Sequence, residues 1–124
     1  MDRLARLELL ELARAAGARY ARAVDAKDLD VLRSDVFTAD AVLRTTRAEY
    51  TGIDDVMAFY DTAFAQQPGA RRHFLTNHEA EVGDDGRVTV DCYFFFLSAD
   101  ARSVIGWGTY HDVVVVTDGI ARLP

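Results

Sequence analysis

The sequence predicts an α+β fold in which three helices precede a long antiparallel sheet. In the first half of the chain, apolar residues recur at helical spacing in three segments that turn residues separate. In the second half, apolar and polar residues alternate through long segments joined by short turns. Consecutive strands joined in this way pair antiparallel, which favours a meander over a parallel sheet.

The three predicted helices differ in length. The first covers about residues 3–25, which are rich in the strong helix formers Leu, Ala, Arg and Glu. Asp28 is positioned to cap a short second helix over about 29–35. The third helix begins after Gly52 and ends at the segment 66–69, where proline and glycine follow two glutamines.

The strands are short before the third helix and long after it. Turns are predicted at 83–86, 99–101 and 117–119, each of which contains aspartate and most of which contain glycine. The predicted strands are residues 41–46, 49–50, 71–82, 87–98, 103–116 and 120–123.

Length and charge limit the function classes. A chain of 124 residues predicts one domain over residues 1–124. The 14 basic and 20 acidic residues are mixed along the chain and give a formal net charge of −6. Without a basic stripe, we expect no nucleic-acid partner and no binding to anionic membranes.

Cysteine content and hydropathy indicate the compartment. Cys92 is the only cysteine, so an intramolecular disulfide and a clustered Cys/His zinc site are both excluded. The N-terminus has no apolar signal-peptide core, and the apolar runs are too short to span a bilayer. We therefore predict a cytoplasmic protein with a free, inert thiol.

Two of the three histidines lie on the predicted strand 71–82. Strict alternation places His73, Leu75 and Asn77 on one face of the sheet and His78 on the other. His73 is therefore the candidate pocket base. His78 is expected on the outer face, in the sheet surface or a subunit contact.

Four stretches of the chain resemble the SnoaL-like proteins of the NTF2-like superfamily. They are the segments 20–41, 50–60, 72–78 and 108–112, together with Asp118 and Gly119. The resemblance implies a cone, in which three N-terminal helices pack in a strongly curved antiparallel sheet around an apolar pocket. Within the superfamily, the chain is most similar to the scytalone dehydratase and hexachlorocyclohexane dehydrochlorinase branch.

That branch uses an Asp–His dyad, and the matching positions here are Asp25 and His73. The resemblance implies a cofactor-independent lyase or isomerase without a metal. The dyad would act as a general base on a small, mostly apolar carbonyl or polyketide-like substrate, by dehydration, isomerisation or cyclisation. From the residues alone, the default role of Asp25 is to end the first helix, and a structural role is favoured for His73.

Seven further residues are predicted to contact the substrate. Tyr110 would donate a hydrogen bond to a developing enolate oxygen. Asp112 shares its face and is either a pocket acid or a salt-bridge partner at the rim. Asn77 is either a hydrogen-bond partner in the pocket or a β-bulge residue. By strand parity, the pocket face of the preceding strand, residues 87–98, includes Phe94, Phe96 and Ser98. The full set is Tyr110, Asn77, Ser98, Phe94, Phe96, Tyr20 and Asp112.

Other functions stay open at this stage. The positions of the dehydratase tyrosines hold Val24 and Thr45, so a non-catalytic binding or dimerisation module with the same fold is the alternative. Epoxide hydrolysis would need an Asp–Arg–Asp set, for which Arg44 with Asp91 or Asp112 is the nearest match.

The face opposite the predicted pocket is also apolar. The residues on it predict a subunit interface of a homodimer or homotrimer. They are Tyr93, Phe95 and Leu97, with Trp107 and His111 on the next strand.

Overall fold

A computed structural model describes residues 1–67, 69–98, 100 and 103–124. Pro68 of the predicted helix end, and Ala99 and Ala101 of one predicted turn, lie outside the described residues. The helices are α1 (Arg3–Asp25), α2 (Leu29–Val31, continued by a π-helical turn over Leu32–Val36) and α3 (Ile53–Ala65). The strands are β1 (Val42–Arg44), β2 (Glu49–Thr51), β3 (Arg71–Val82), β4 (Val88–Ser98), β5 (Ser103–Thr117) and β6 (Ile120–Arg122).

The predicted fold class is confirmed. Strands β3 to β6 form one antiparallel sheet in the order β3-β4-β5-β6, and β1 and β2 form a separate hairpin. Helix α1 contacts all four strands of the larger sheet. The result is an α+β fold in which three helices pack against a curved antiparallel sheet. Among the described residues, no helix combines the length and the apolarity needed to span a membrane.

Small residues let α1 approach the sheet closely. Asp2 caps the helix, because its carboxylate accepts a hydrogen bond of 2.8 Å from the Ala5 amide. Ala13 and Ala16 are buried on the side that packs against the inner face of the sheet. A methyl group added at Gly17 would lie 3.3 Å from the Leu75 side chain, so the glycine allows this close approach.

A bulge in β3 overturns part of the predicted face assignment. Asn77 has a φ of 56°, and the pairing with β4 shifts there so that two β3 residues face one residue of β4. Beyond the bulge, Ala80 pairs with the buried Val90 on the inner face, and His78 has the same parity as Ala80. The prediction that His78 lies on the outer face is therefore wrong. Asn77 is the bulge residue, which was one of its two predicted roles.

Candidate active site

The end of α1 meets the edge of the sheet at Asp25 and His73. Strand β3 is at the edge of the sheet, so on the side away from β4 no neighbouring strand can bond to the amide of His73. That amide donates to both carboxylate oxygens of Asp25, each at 3.1 Å. The ring nitrogen Nδ1 of His73 lies 2.6 Å from Asp25 Oδ1. The side chains are only 10% and 13% exposed, so the pair is largely shielded from water.

This contact fixes the chemistry of the imidazole. An ionised carboxylate only accepts hydrogen bonds, so the neutral form of the imidazole would carry its proton on Nδ1 and keep its lone pair on Nε2. The backbone amide holds the carboxylate in place while the carboxylate orients the ring. The Asp25 carboxylate bonds to His73 on β3 and therefore does not cap its own helix. The last turn of α1 is closed instead by the Ala26 amide, which donates a hydrogen bond to the Arg22 carbonyl oxygen.

A row of near-parallel rings leads from His73 along the inner face of the sheet. The His73 ring stacks on Phe96, with centroids 4.8 Å apart, and Phe94 stacks on Tyr110 at 4.0 Å. The Phe94 and Phe96 centroids are 6.4 Å apart. A methyl group at Gly106 would lie 2.5 Å from the Phe96 ring, so that glycine on β5 leaves the ring the space it occupies.

Three tyrosines gather at the far end of this row. The Tyr20 and Tyr60 hydroxyls are 3.0 Å apart, and the Tyr20 ring packs edge-on against Tyr110 at 5.9 Å. Burial raises the pKa of all three phenols above the ordinary value, so they remain protonated donors. Tyr60 is buried on the apolar face of α3. Its spacing gave no sign that its hydroxyl meets that of Tyr20.

Asp112 lies beside these tyrosines on the inner face of β5. Burial is the main cause that raises the pKa of its carboxyl to about 6. The neighbouring Asp91 carboxylate acts in the same direction, whereas His111 opposes it. Asp112 is thus a partly buried acid on the pocket side of the sheet.

The candidate residues border two different clefts. The first cleft, of about 770 Å³, includes the dyad and three arginines, namely Arg14, Arg22 and Arg72, together with His78. Burial, with a contribution from Arg14, lowers the pKa of His78. The second cleft, of about 550 Å³, is bordered by a different part of the predicted set, namely Tyr20, Tyr110 and Asp112, together with Tyr60. Phe94 and Phe96 connect the two groups through the ring row.

Asn77 and Ser98, the two remaining predicted contacts, line neither of the two clefts. Asn77 is exposed at the bulge, where its side-chain oxygen accepts a hydrogen bond of 2.9 Å from the Thr76 hydroxyl. Ser98 lies at the end of β4, opposite Arg71 in register and on the face of Phe96. Arg71, which the sequence did not single out, places its guanidinium carbon 5.4 Å from the centre of the Phe96 ring.

The remaining reactive groups have other partners. Arg44 pairs with Glu49 at 2.8 Å, and Asp91 pairs with His111 on the outer face, so the Asp–Arg–Asp set considered for epoxide hydrolysis is not formed. Burial raises the pKa of the Cys92 thiol to about 11, which keeps it protonated. Within the described ranges, no three His, Cys, Asp or Glu side chains are grouped to hold a metal ion.

Several solved structures share this fold. A protein of Novosphingobium aromaticivorans, assigned provisionally as a scytalone dehydratase, superposes with a TM-score of 0.81 at 17% identity, covering 95% of this chain and 80% of its own. ActVI-ORFA of Streptomyces coelicolor gives 0.71 at 21% identity, covering 95% and 91%. A Nostoc punctiforme protein of unknown function with a cystatin-like fold gives 0.78 at 20%, covering 99% and 88%.

Sequence comparison identifies the family. No curated protein sequence matches the chain significantly. The SnoaL-like domain, in contrast, matches residues 5–123, which is nearly the whole chain. The chain therefore belongs to the SnoaL-like domain family, as the resemblance predicted.

Proposed function

We propose that the protein is a cofactor-independent lyase or isomerase in which His73 acts as a general base. Its substrate would be a small, mostly apolar carbonyl or polyketide-like molecule. The observation that supports this most is the 2.6 Å contact from His73 Nδ1 to Asp25, whose carboxylate is itself held by the His73 amide. A buried imidazole with a fixed proton on Nδ1 is a base at Nε2.

The proposed first step is removal of a proton from carbon. Nε2 of His73 takes a proton from the carbon next to a carbonyl group, and the electron pair moves into an enolate. The Asp25 carboxylate stabilises the imidazolium that forms. Return of the proton from the imidazolium to another carbon completes an isomerisation. Loss of a hydroxyl group, which takes that proton and leaves as water, completes a dehydration, and attack of the enolate carbon on a second carbonyl, whose oxygen takes the proton, completes a cyclisation.

The ring row suits an extended, flat substrate. A molecule lying along Phe96 and Phe94 would contact His73 at one end and Tyr110 at the other. The Tyr110 hydroxyl, protonated because it is buried, would donate to an oxygen at that end. A structural relative assigned provisionally as a scytalone dehydratase supports dehydration as one of the candidate reactions.

Deuterium exchange tests the base without knowledge of the natural substrate. 2-Tetralone has acidic protons between its carbonyl group and its aromatic ring, and their replacement in D2O is followed by NMR. We expect the wild-type protein to accelerate the exchange, and His73→Ala and Asp25→Asn to slow it by about 10²- to 10⁴-fold, the usual contribution of a general base.

The chain offers a matched control for this experiment. His111 and Asp91 form a second His–Asp pair, but their side chains are 72% and 51% exposed on the outer face. His111→Ala and Asp91→Asn should therefore leave the exchange rate unchanged. The proposal is wrong if the dyad variants exchange as fast as wild type, or if both pairs of variants lose activity alike.

A binding module is the second candidate. It is favoured by the inner aromatic cluster, because Phe94, Phe96 and the three tyrosines occupy much of the space that a larger substrate would need. In that case, 2-tetralone binds saturably to the wild-type protein while its exchange rate stays at the rate in buffer.

A further inference from the structure

We infer that Arg71 binds an anionic oxygen of the substrate, so that the molecules deprotonated by His73 are aromatic or polyketide-like compounds that carry a carboxylate or phenolate. This inference rests on the proposed function, because it names the class of substrate for the same site. It does not follow from the family resemblance, in which Arg71 had no role.

The position of Arg71 beside the dyad is the first observation. Arg71 is the first residue of β3 and precedes His73 by two positions, so both side chains leave the strand on the inner face. Both also contact Phe96: the His73 ring stacks on it at 4.8 Å, and the Arg71 guanidinium carbon lies 5.4 Å from its centre. A ligand that packs beside Phe96 can therefore contact Arg71 and His73 together.

The unsatisfied hydrogen bonding of Arg71 is the second observation. Its Nε atom is buried and has no hydrogen-bond partner within the described part of the chain. Arg33, Arg44 and Arg87, in contrast, each pair with a carboxylate. A guanidinium is always charged, and a buried N–H without an acceptor is unfavourable. A carboxylate or phenolate oxygen would supply the missing acceptor and match the charge.

A pair of naphthalene probes separates charge from shape. 2-Naphthoate and 2-acetonaphthone share the same ring system, but only the first carries a carboxylate. Their dissociation constants are measured by isothermal titration calorimetry on the full chain. We expect the wild-type protein to prefer 2-naphthoate. Arg71→Met should weaken 2-naphthoate binding by about 10- to 100-fold, with a much smaller effect on 2-acetonaphthone.

Arg47→Met is the matched control. Arg47 is an exposed arginine between β1 and β2, and it lines neither the first nor the second cleft. We expect this variant to keep the preference for 2-naphthoate, and Arg71→Lys to restore part of it through its charge. Thermal unfolding of each variant checks that the fold is intact.

The outcomes also separate this inference from the proposed function. The Arg71 site is overturned if the wild-type protein shows no preference for 2-naphthoate, or if Arg71→Met affects that preference no more than Arg47→Met does. His73→Ala should slow deuterium exchange yet retain the preference. A protein that prefers 2-naphthoate through Arg71 but exchanges no deuterium supports the anion site and contradicts only the base.

Discussion

At the residue scale, the carboxylate of Asp25 has two functions that support each other. It accepts from the free edge amide of β3, which satisfies a backbone donor, and it orients the His73 ring. Binding the edge of β3 and orienting the proposed base are therefore compatible roles for Asp25. A carboxylate that the backbone already holds needs little reorganisation when the imidazole becomes charged.

Asp112 gives a prediction about stability and pH. Burial raises the pKa of its carboxyl from 3.8 to about 6, so the folded protein binds its proton more tightly than the unfolded chain. Stability is therefore lost as pH rises through this range, and the full penalty, about 2 to 3 kcal/mol, is present above it. Asp112→Asn should be more stable than wild type by about that amount near pH 8, with no difference near pH 3.

Urea unfolding of both proteins across this range measures the difference. Asp84→Asn, in the turn between β3 and β4 with an exposed side chain, is the control and should change stability little at any pH. An Asp112→Asn variant that is no more stable than wild type near pH 8 would show that the ionised carboxylate is well accommodated in the folded protein.

At the element scale, the helices and strands follow closely from the sequence, because their hydrophobic periods and turn residues are clear. The pairing of Asp25 with His73, in contrast, was implied by the family resemblance, because the periodicity of the chain does not show which helix end meets which strand. His78 was misplaced because one bulge residue, Asn77, reverses the alternation of every later residue in β3.

Long-range packing explains the residues that sequence reasoning missed. Tyr60 satisfies a helical apolar pattern, and its hydroxyl gains meaning only when α3 brings it to Tyr20. Arg71 looks like an ordinary strand-end cation until its contact with Phe96 is seen. Long-range packing also explains why the predicted contacts divide between two clefts. Strand parity gives the face of the sheet on which a residue lies, but it does not give the position of α1 across that face.

At the scale of the whole molecule, the outer face of the sheet carries a cluster of exposed aromatic side chains. Phe74, Phe95 and Trp107 face one another across β3, β4 and β5, and the Phe74 and Phe95 rings stack at 4.9 Å. Trp107 is 82% exposed and Tyr93 56%. Such a contiguous apolar surface is typical of an interface, so the homodimer or homotrimer expected from the sequence stays our prediction.

Trp107→Glu tests this surface. A buried charge at the centre of an apolar interface is strongly unfavourable, so we expect the variant to be monomeric by light scattering while the wild type has the mass of a dimer or trimer. Leu4→Glu replaces another exposed apolar residue, at the start of α1, and should keep the wild-type mass. A monomeric wild type, or an unchanged mass for Trp107→Glu, would contradict the prediction.

The most direct test of the central claim is the protonation of the His73 ring, measured by ¹⁵N NMR on protein labelled at histidine. We expect the neutral imidazole to carry its proton on Nδ1 with a free lone pair on Nε2, and to lose this preference in Asp25→Asn. A His73 ring protonated on Nε2, or one whose tautomer does not respond to Asp25→Asn, would contradict it.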